Sequence, residues 1–298
     1  VALFAARRNG CGFVFWLSYP YPEASIYEAR IGTARYRYLY LLRGWIFKAL
    51  FYRIIAKYAD HIFVQSDQMK SDLIDEGVDD GRITPVPMGF SPADFEDVAP
   101  VSLASPHSMV YIGTLISTRR LDFLVRVLAE VKRRIPDAML YMVGPEELPG
   151  DREVLVNEAR RLDLESDVVL TGRLERSEAL GYVAAASVCV SPFAPTPILN
   201  STSPTKMVEY MALRRPVVVN DHPDQKKVAE ESGGAICVPY EEESFAQAVI
   251  SILEAPEAAQ GMAEKGLRYV TRHRTYSQLA DLVDSTYEKL AGSSPKRI

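Results

Sequence analysis

Six short apolar runs, separated by amphipathic ones, fill the chain from Met109 onward, and few folds accept such a pattern. The runs are 109–113, 138–144, 168–172, 188–192, 217–220 and 235–238. They are continuously apolar, as strands buried on both faces must be. Between and after them the spacing predicts helices over 121–135, 151–162, 177–186, 204–215, 226–231, 245–253, 257–270 and 277–290. Strict strand–helix alternation of this kind gives a parallel, doubly wound α/β sheet. Ligands of such sheets sit outside the carboxyl ends of the strands. Three glycine-led or polar strand ends meet there: Gly113 to Arg120, Gly144-Pro-Glu-Glu147 and Gly172-Arg-Leu-Glu175.

The first hundred residues are less regular. Val1 to Arg8 is patterned like a helix, although no initiator Met precedes it. Gly12 to Leu17 and His61 to Gln65 predict buried strands. Ser66 caps a helix over 67–76 that Gly77 ends. A proline-rich passage, Ile83 to Phe90, follows, and residues 91–106 have the composition of a linker, so the domain boundary is expected there. At 298 residues and 48% hydrophobic, the chain can bury two such domains.

Charge is unevenly spread. Between Tyr27 and Tyr58, seven basic residues face one acidic residue, Glu28, with nine aromatics interleaved. The stretch is thus +6, and the remainder must be −11 to reach the net −5. Two explanations fit. A basic, aromatic, amphipathic helix suits an anionic membrane surface; equally, its apolar residues could be core and its arginines a solvated face. The net charge gives no case for a nucleic-acid partner. Cys11, Cys189 and Cys237 are scattered in apolar runs and read as buried reduced thiols of a cytosolic protein. His61, His107, His222 and His273 lack metal-ligand spacing, and neither a signal peptide nor a spanning apolar run is present.

The stretch from Asn200 to Pro216 carries the most chemistry. Ser203 followed by Pro204 reads as a hydroxyl cap and a first-turn proline. Met207, Val208, Met211 and Ala212 give the helix one apolar face. Lys206 then falls in the first turn, where the helix end is already positive and a lysine is unfavourable unless an anion shares the site. Glu209 lies three residues on, on the same side, able to accept hydrogen bonds from a ribose diol. The bland explanation, an ordinary surface pair of Lys206 and Glu209, is equally compatible with this segment.

Taken together, Tyr111 to Asp122, Val143-Gly-Pro145, Val169 to Leu174 and Ser203 to Ala212 resemble the family 4 glycosyltransferases. Their order and spacing are similar to the nucleotide-sugar-binding half of the GT-B fold. The resemblance implies two Rossmann-like doubly wound domains facing a cleft, the N-terminal one incomplete. On that basis residues 1–95 are the partial acceptor-side domain, 106–274 the donor domain, and 277–298 a helix crossing back to the first. About 90 residues lie ahead of the boundary, against about 180 for a full domain.

What the family implies is a retaining transfer from a nucleotide diphosphate sugar, without a metal or other cofactor. Carried over by position, Arg119, Lys206 and Thr205 hold the donor diphosphate, and Ser201, Thr202 and Ser203 lie at the donor sugar and helix start. Glu209 takes the ribose, and the main chain at Arg173 and Leu174 meets the base. Two positions depart from the family pattern. The first residue of its paired-glutamate motif falls on Ser201, and the pocket histidine expected near Leu17 to Tyr19 is absent, leaving Glu23 as the nearest ionisable candidate for a catalytic role. The acceptor implied is a saccharide or lipid-linked saccharide of surface-polysaccharide or glycolipid assembly, met in the cytoplasm or at the inner face of the membrane through residues 27–58. A non-catalytic nucleotide- or partner-binding module of the same fold is the alternative, and a sugar-nucleotide 2-epimerase a weaker third.

Overall fold

The computed structural model describes residues 1–32, 34–148 and 150–292. In chain order the elements are α1 (Ala2–Arg8), β1 (Val14–Leu17), α2 (Tyr21–Ile31), α3 (Arg37–Leu50), a π-helical turn Phe51–Ala56, β2 (His61–Val64), α4 (Asp67–Asp75) and β3 (Ile83–Pro85). Then follow β4 (Ser108–Ile112), α5 (Asp122–Lys132), β5 (Met139–Val143), α6 (Asp151–Arg161), β6 (Val168–Leu170), α7 (Arg176–Ala185) and β7 (Val188–Ser191). The chain continues through α8 (Pro197–Asn200), α9 (Thr205–Ala212), β8 (Val217–Asn220), α10 (Pro223–Ser232), β9 (Ala235–Val238), α11 (Glu242–Glu254), α12 (Pro256–His273) and α13 (Tyr276–Ala291).

Two compact units result. Unit 1 comprises 1–88, 196–203 and 277–298, and unit 2 comprises 89–195 and 204–276. The division therefore falls at Met88–Gly89, inside the proline-rich passage rather than after it. Phe90 is the reason: it is buried in the unit 2 core, and its N–H donates to the Arg274 carbonyl at 2.9 Å. The passage expected to be a linker also lies on unit 2, with Val101 N–H on the Gly181 carbonyl and Ala104 N–H on the Tyr141 hydroxyl. Residues 196–203, read as part of the donor domain, group with unit 1 instead. So does the closing segment from Ser277, where Leu279 packs on Phe63 and Val86 and the Tyr287 ring meets Phe63. Its last residues, 293–298, lie outside the described residues.

Unit 1 is built on a three-stranded parallel sheet in the order β1-β2-β3. All four residues of β2 are buried, the mark of a central strand. Leu17, Ala59, Ile62, Val64, Met69 and Leu73 form its core. The basic, aromatic stretch falls on α2 and α3 and the π-helical turn that follows them. The two helices touch at Gly44, where any Cβ would stand 2.6 Å from the Ile26 side chain and 3.0 Å from the Pro22 carbonyl. A larger residue would force the pair apart.

Unit 2 carries six parallel strands in the order β6-β5-β4-β7-β8-β9. Counted within the unit this is 3-2-1-4-5-6, the doubly wound order, and its direction reverses between β4 and β7. Each strand feeds two cores by its period of two. Met109, Tyr111, Leu140, Met142, Val188 and Val190 face one, with α5 and α11; Val110, Tyr141, Val143, Cys189, Val217 and Val219 face the other, with α9. The reversal places a crevice outside the carboxyl end of β4, where Gly113 follows Ile112.

Candidate functional site

At the end of β4 the backbone turns through Gly113 with φ +144°, a conformation that L side chains rarely adopt. A Cβ at Gly113 would stand 2.5 Å from Lys206 Cε and 3.3 Å from Arg119 Nη1. Gly144, with φ +143°, guards the other side, since its Cβ would meet the Gly113 carbonyl at 2.3 Å. Two side-chain-free positions thus let two cations approach one strand end. Tyr210 fixes α9 to that strand: its hydroxyl accepts the Ile112 N–H at 2.9 Å.

Arg119 reaches inward from a short turn at Ser117–Arg119, donating to the Thr114 carbonyl at 3.1 Å and the Tyr111 hydroxyl at 3.3 Å. Lys206, in the first turn of α9, holds its Nζ 5.5 Å from the ring centres of both Tyr111 and Phe193. Burial pushes the Lys206 ammonium below the ordinary lysine value, and the Arg119 cation pushes the same way against the Tyr111 and Glu209 contributions. Among the described residues, no carboxylate lies within 4.0 Å of either cation. Two charges so placed, beside free N–H groups of a helix start, form a seat for an anion.

Glu209 lies one turn along α9, where its carboxylate accepts from Arg176 Nη2 at 3.0 Å. Arg176 is also 4.0 Å from Asp94 and stacks its guanidinium 5.8 Å from the Phe95 ring centre. These groups line a cavity of about 480 Å³ within unit 2, which takes in Gly113, Arg119, Thr205, Lys206 and Glu209 on one side and Phe90, Asp94 and Phe95 on the other. The volume suits a nucleotide-sized ligand.

Four sequence-nominated residues, Arg119, Thr205, Lys206 and Glu209, are therefore brought together. Others are not. Ser203 is not the cap of α9: the helix begins at Thr205 behind Pro204, and the Ser203 hydroxyl accepts the Met88 N–H at 2.9 Å. Proline fixes the entry angle by itself, so the serine is released to bind elsewhere. Ser201 is buried in unit 1, its hydroxyl donating to the Asp72 carboxylate and its carbonyl accepting from the Ser66 hydroxyl at 2.7 Å. Thr202 turns its hydroxyl to the Leu199 carbonyl at 2.7 Å. All three hydroxyls are thus engaged within unit 1, Thr202 with its own loop and the two serines with remote segments. Arg173 is exposed and Leu174 half-buried against the unit's second core, and neither lines the cavity.

Arg176 does line it, and sequence reasoning passed it over. The signal was present: Arg176 opens α7, and a cation in a first helical turn is as anomalous as Lys206. Glu23 belongs to unit 1, in the first turn of α2, beside a separate cavity of about 400 Å³ shared with Tyr52, Asp72 and Glu76. Burial raises its carboxyl above the ordinary glutamate value, against the opposing Lys48 ammonium at 3.8 Å.

Comparison with known proteins gives a consistent picture. Residues 106–255 match the family model described as glycosyl transferases group 1. A curated relative, the alpha-D-kanosaminyltransferase of Streptomyces kanamyceticus, is 23% identical over 183 residues, 61% of this chain. The chain spans only 45% of that relative's length. Among solved structures, a sucrose-phosphate synthase from Thermosynechococcus elongatus superposes with a TM-score of 0.73 at 20% identity, covering 95% of this chain and 69% of that one. Anabaena Alr3699/HepE, solved with UDP-glucose, superposes with a TM-score of 0.72 at 15% identity, covering 96% and 75%. A glycosyltransferase from Rickettsia africae reaches 0.70 at 16%, covering 84% and 68%. These neighbours share the GT-B fold, and by its family match this chain belongs to the glycosyl transferases group 1.

Proposed function

We propose that this chain is the donor-binding part of a glycosyltransferase of the family 4 type, moving a sugar from a nucleotide diphosphate sugar to a saccharide or lipid-linked acceptor with retention of configuration. The observation that carries the proposal is the pair of carboxylate-free cations, Lys206 and Arg119, flanking Gly113 at the switch point of the sheet. Departure of a nucleoside diphosphate builds negative charge on its terminal phosphate, and preplaced cations stabilise that charge without reorganising. In this reading the two side chains and the Thr205 end of α9 take the diphosphate, with no metal needed to neutralise it. Glu209 exchanges its Arg176 partner for the ribose hydroxyls. Glu23, with its proton held more tightly than usual, is the candidate for proton handling on the acceptor side.

UDP is the nucleotide to try first, because Anabaena HepE and a mutant of S. aureus TarM were solved with it. Surface-polysaccharide or glycolipid assembly, at the inner face of a membrane, is the pathway class proposed. Calorimetric titration of UDP into the wild type and into Lys206→Ala and Arg119→Ala tests the site. Each variant should lose a charge-assisted contact of about 1.5–3 kcal/mol, a weakening of roughly 10- to 150-fold, with the fold intact. Wild-type affinity in both variants would remove the site. Ser201, standing where the family has an acidic residue and tied to Asp72, favours a second reading, a nucleotide-binding module without turnover. Release of UDP from a panel of UDP-sugars with saccharide acceptors separates the two.

A further inference from the structure

Helix α3 packs on α2 through buried Gly44 and half-buried Tyr40, Leu41 and Lys48, and leaves its other residues exposed. Tyr38, Leu39, Leu42, Trp45, Ile46 and Leu50 are between 44% and 82% exposed. At 100° per residue these six fall on one face, so they form a continuous stripe and not scattered apolar positions. Single exposed leucines need no explanation, but a contiguous stripe of this kind marks an interaction surface.

The charge around the stripe selects the partner. All six charged residues from Arg35 to Lys57 are basic. Lys48 is taken up by Glu76 and Arg43 by the Ser25 hydroxyl and the Tyr40 ring. Arg35, Arg37, Arg53 and Lys57 make no ion pair among the described residues, and they stand at the two ends of the stripe. A second copy docking face to face would set this basic surface against itself, which repulsion disfavours. At 14 residues, about 21 Å, α3 is too short to span a bilayer but long enough to lie along one. Aromatic side chains at headgroup depth and cations on phosphate are what such a surface offers.

We infer that the exposed face of α3 is a docking surface for an anionic phospholipid bilayer. The inference deepens the transferase reading by naming the surface that would bring a lipid-linked acceptor to the chain, but its geometry is independent of the donor site. Trp16 and Trp45 are the only tryptophans, so Trp16→Phe leaves Trp45 as sole reporter. Co-sedimentation of the chain with phosphatidylcholine vesicles, and with vesicles in which about a third of the lipid is phosphatidylglycerol, is the direct assay. Binding should require the anionic lipid, weaken as salt rises, and shift Trp45 emission to the blue. Each basic side chain near the surface is worth about fivefold, so Arg53→Glu with Lys57→Glu should weaken binding at least 25-fold. Leu42→Ser with Ile46→Ser should weaken it by a comparable factor, and all these exposed positions leave the circular dichroism unchanged. Equal binding to neutral vesicles, no binding to either, or a solution dimer abolished by Leu42→Ser with Ile46→Ser would overturn the inference. UDP titration of the same proteins keeps the two proposals apart: vesicle binding without UDP binding sinks the donor site alone, and the converse sinks the docking surface alone.

Discussion

Gly113→Ala probes the site more sharply than removal of either cation, because it adds one carbon atom and subtracts no charge. The new Cβ would lie 2.5 Å from Lys206 Cε, about 0.9 Å inside ordinary van der Waals contact, which begins near about 3.4 Å. The obstruction is the far end of a flexible side chain, so Lys206 yields and the sheet does not. The backbone contributes separately, since φ +144° at an alanine costs about 1–3 kcal/mol of stability. Displacing the ammonium by about an ångström forfeits much of a charge-assisted contact, so UDP affinity should fall roughly 10- to 100-fold. Gly77→Ala supplies the control: it too has a positive φ, +87°, but a Cβ there meets nothing within 4 Å and it belongs to unit 1. That variant should lose about 1–2 kcal/mol of stability and no affinity. Calorimetry and urea denaturation of both give four numbers. If Gly113→Ala binds UDP as the wild type does, Lys206 does not hold the nucleotide and the charge seat was misread.

Lys206 also predicts a pH dependence. Its ammonium is held below the usual lysine value of 10.5, chiefly by burial, and a bound diphosphate favours the charged form, so binding should take up a proton once pH exceeds the free-state value. Affinity should then fall as pH rises through that free-state value, measurable as buffer-dependent calorimetric enthalpies; an unchanged slope in Lys206→Arg would assign the proton elsewhere. The Arg274–Asp224 pair, 2.8 Å apart with side chains 5% and 8% exposed, anchors the last turn of unit 2. Arg274→Ala should destabilise by about 3–5 kcal/mol by removing the cation that faces a buried carboxylate, whereas Arg274→Met with Asp224→Leu should cost less. Denaturation midpoints of the two variants decide it, and equal losses would mean that packing, not charge, holds the turn.

How much of this was legible beforehand depended on the range of the interaction. Strand positions in unit 2 were readable because burial on both faces writes an unbroken apolar run, and Val217–Asn220 could hardly be anything else. Lys206 was readable because a cation in a first helical turn is locally anomalous. Residues whose partners are remote in sequence were not. Ser201 meets Asp72 across 129 positions and Ser203 meets Met88 across 115, and nothing near either serine foretells those bonds. A serine before Pro-Thr-Lys looks like a cap whether or not it is one, because capping is decided by where the preceding chain must go. The boundary at 91–106 was misplaced for the same reason: prolines and serines describe a segment without regular hydrogen bonds, yet say nothing of which unit's surface it lies on. What decides it is Phe90, buried in the second core of unit 2, and its spacing in the sequence does not announce which core it joins. Glu209 shows the limit most plainly. Its spacing from Lys206 is fixed by the helix, but whether it is free for a ligand depends on Arg176, which arrives from a different helix 33 residues earlier and holds it at 3.0 Å. A ligand that claims Glu209 must displace that guanidinium, so the affinity of the site reflects an exchange of partners and not the filling of an empty acceptor.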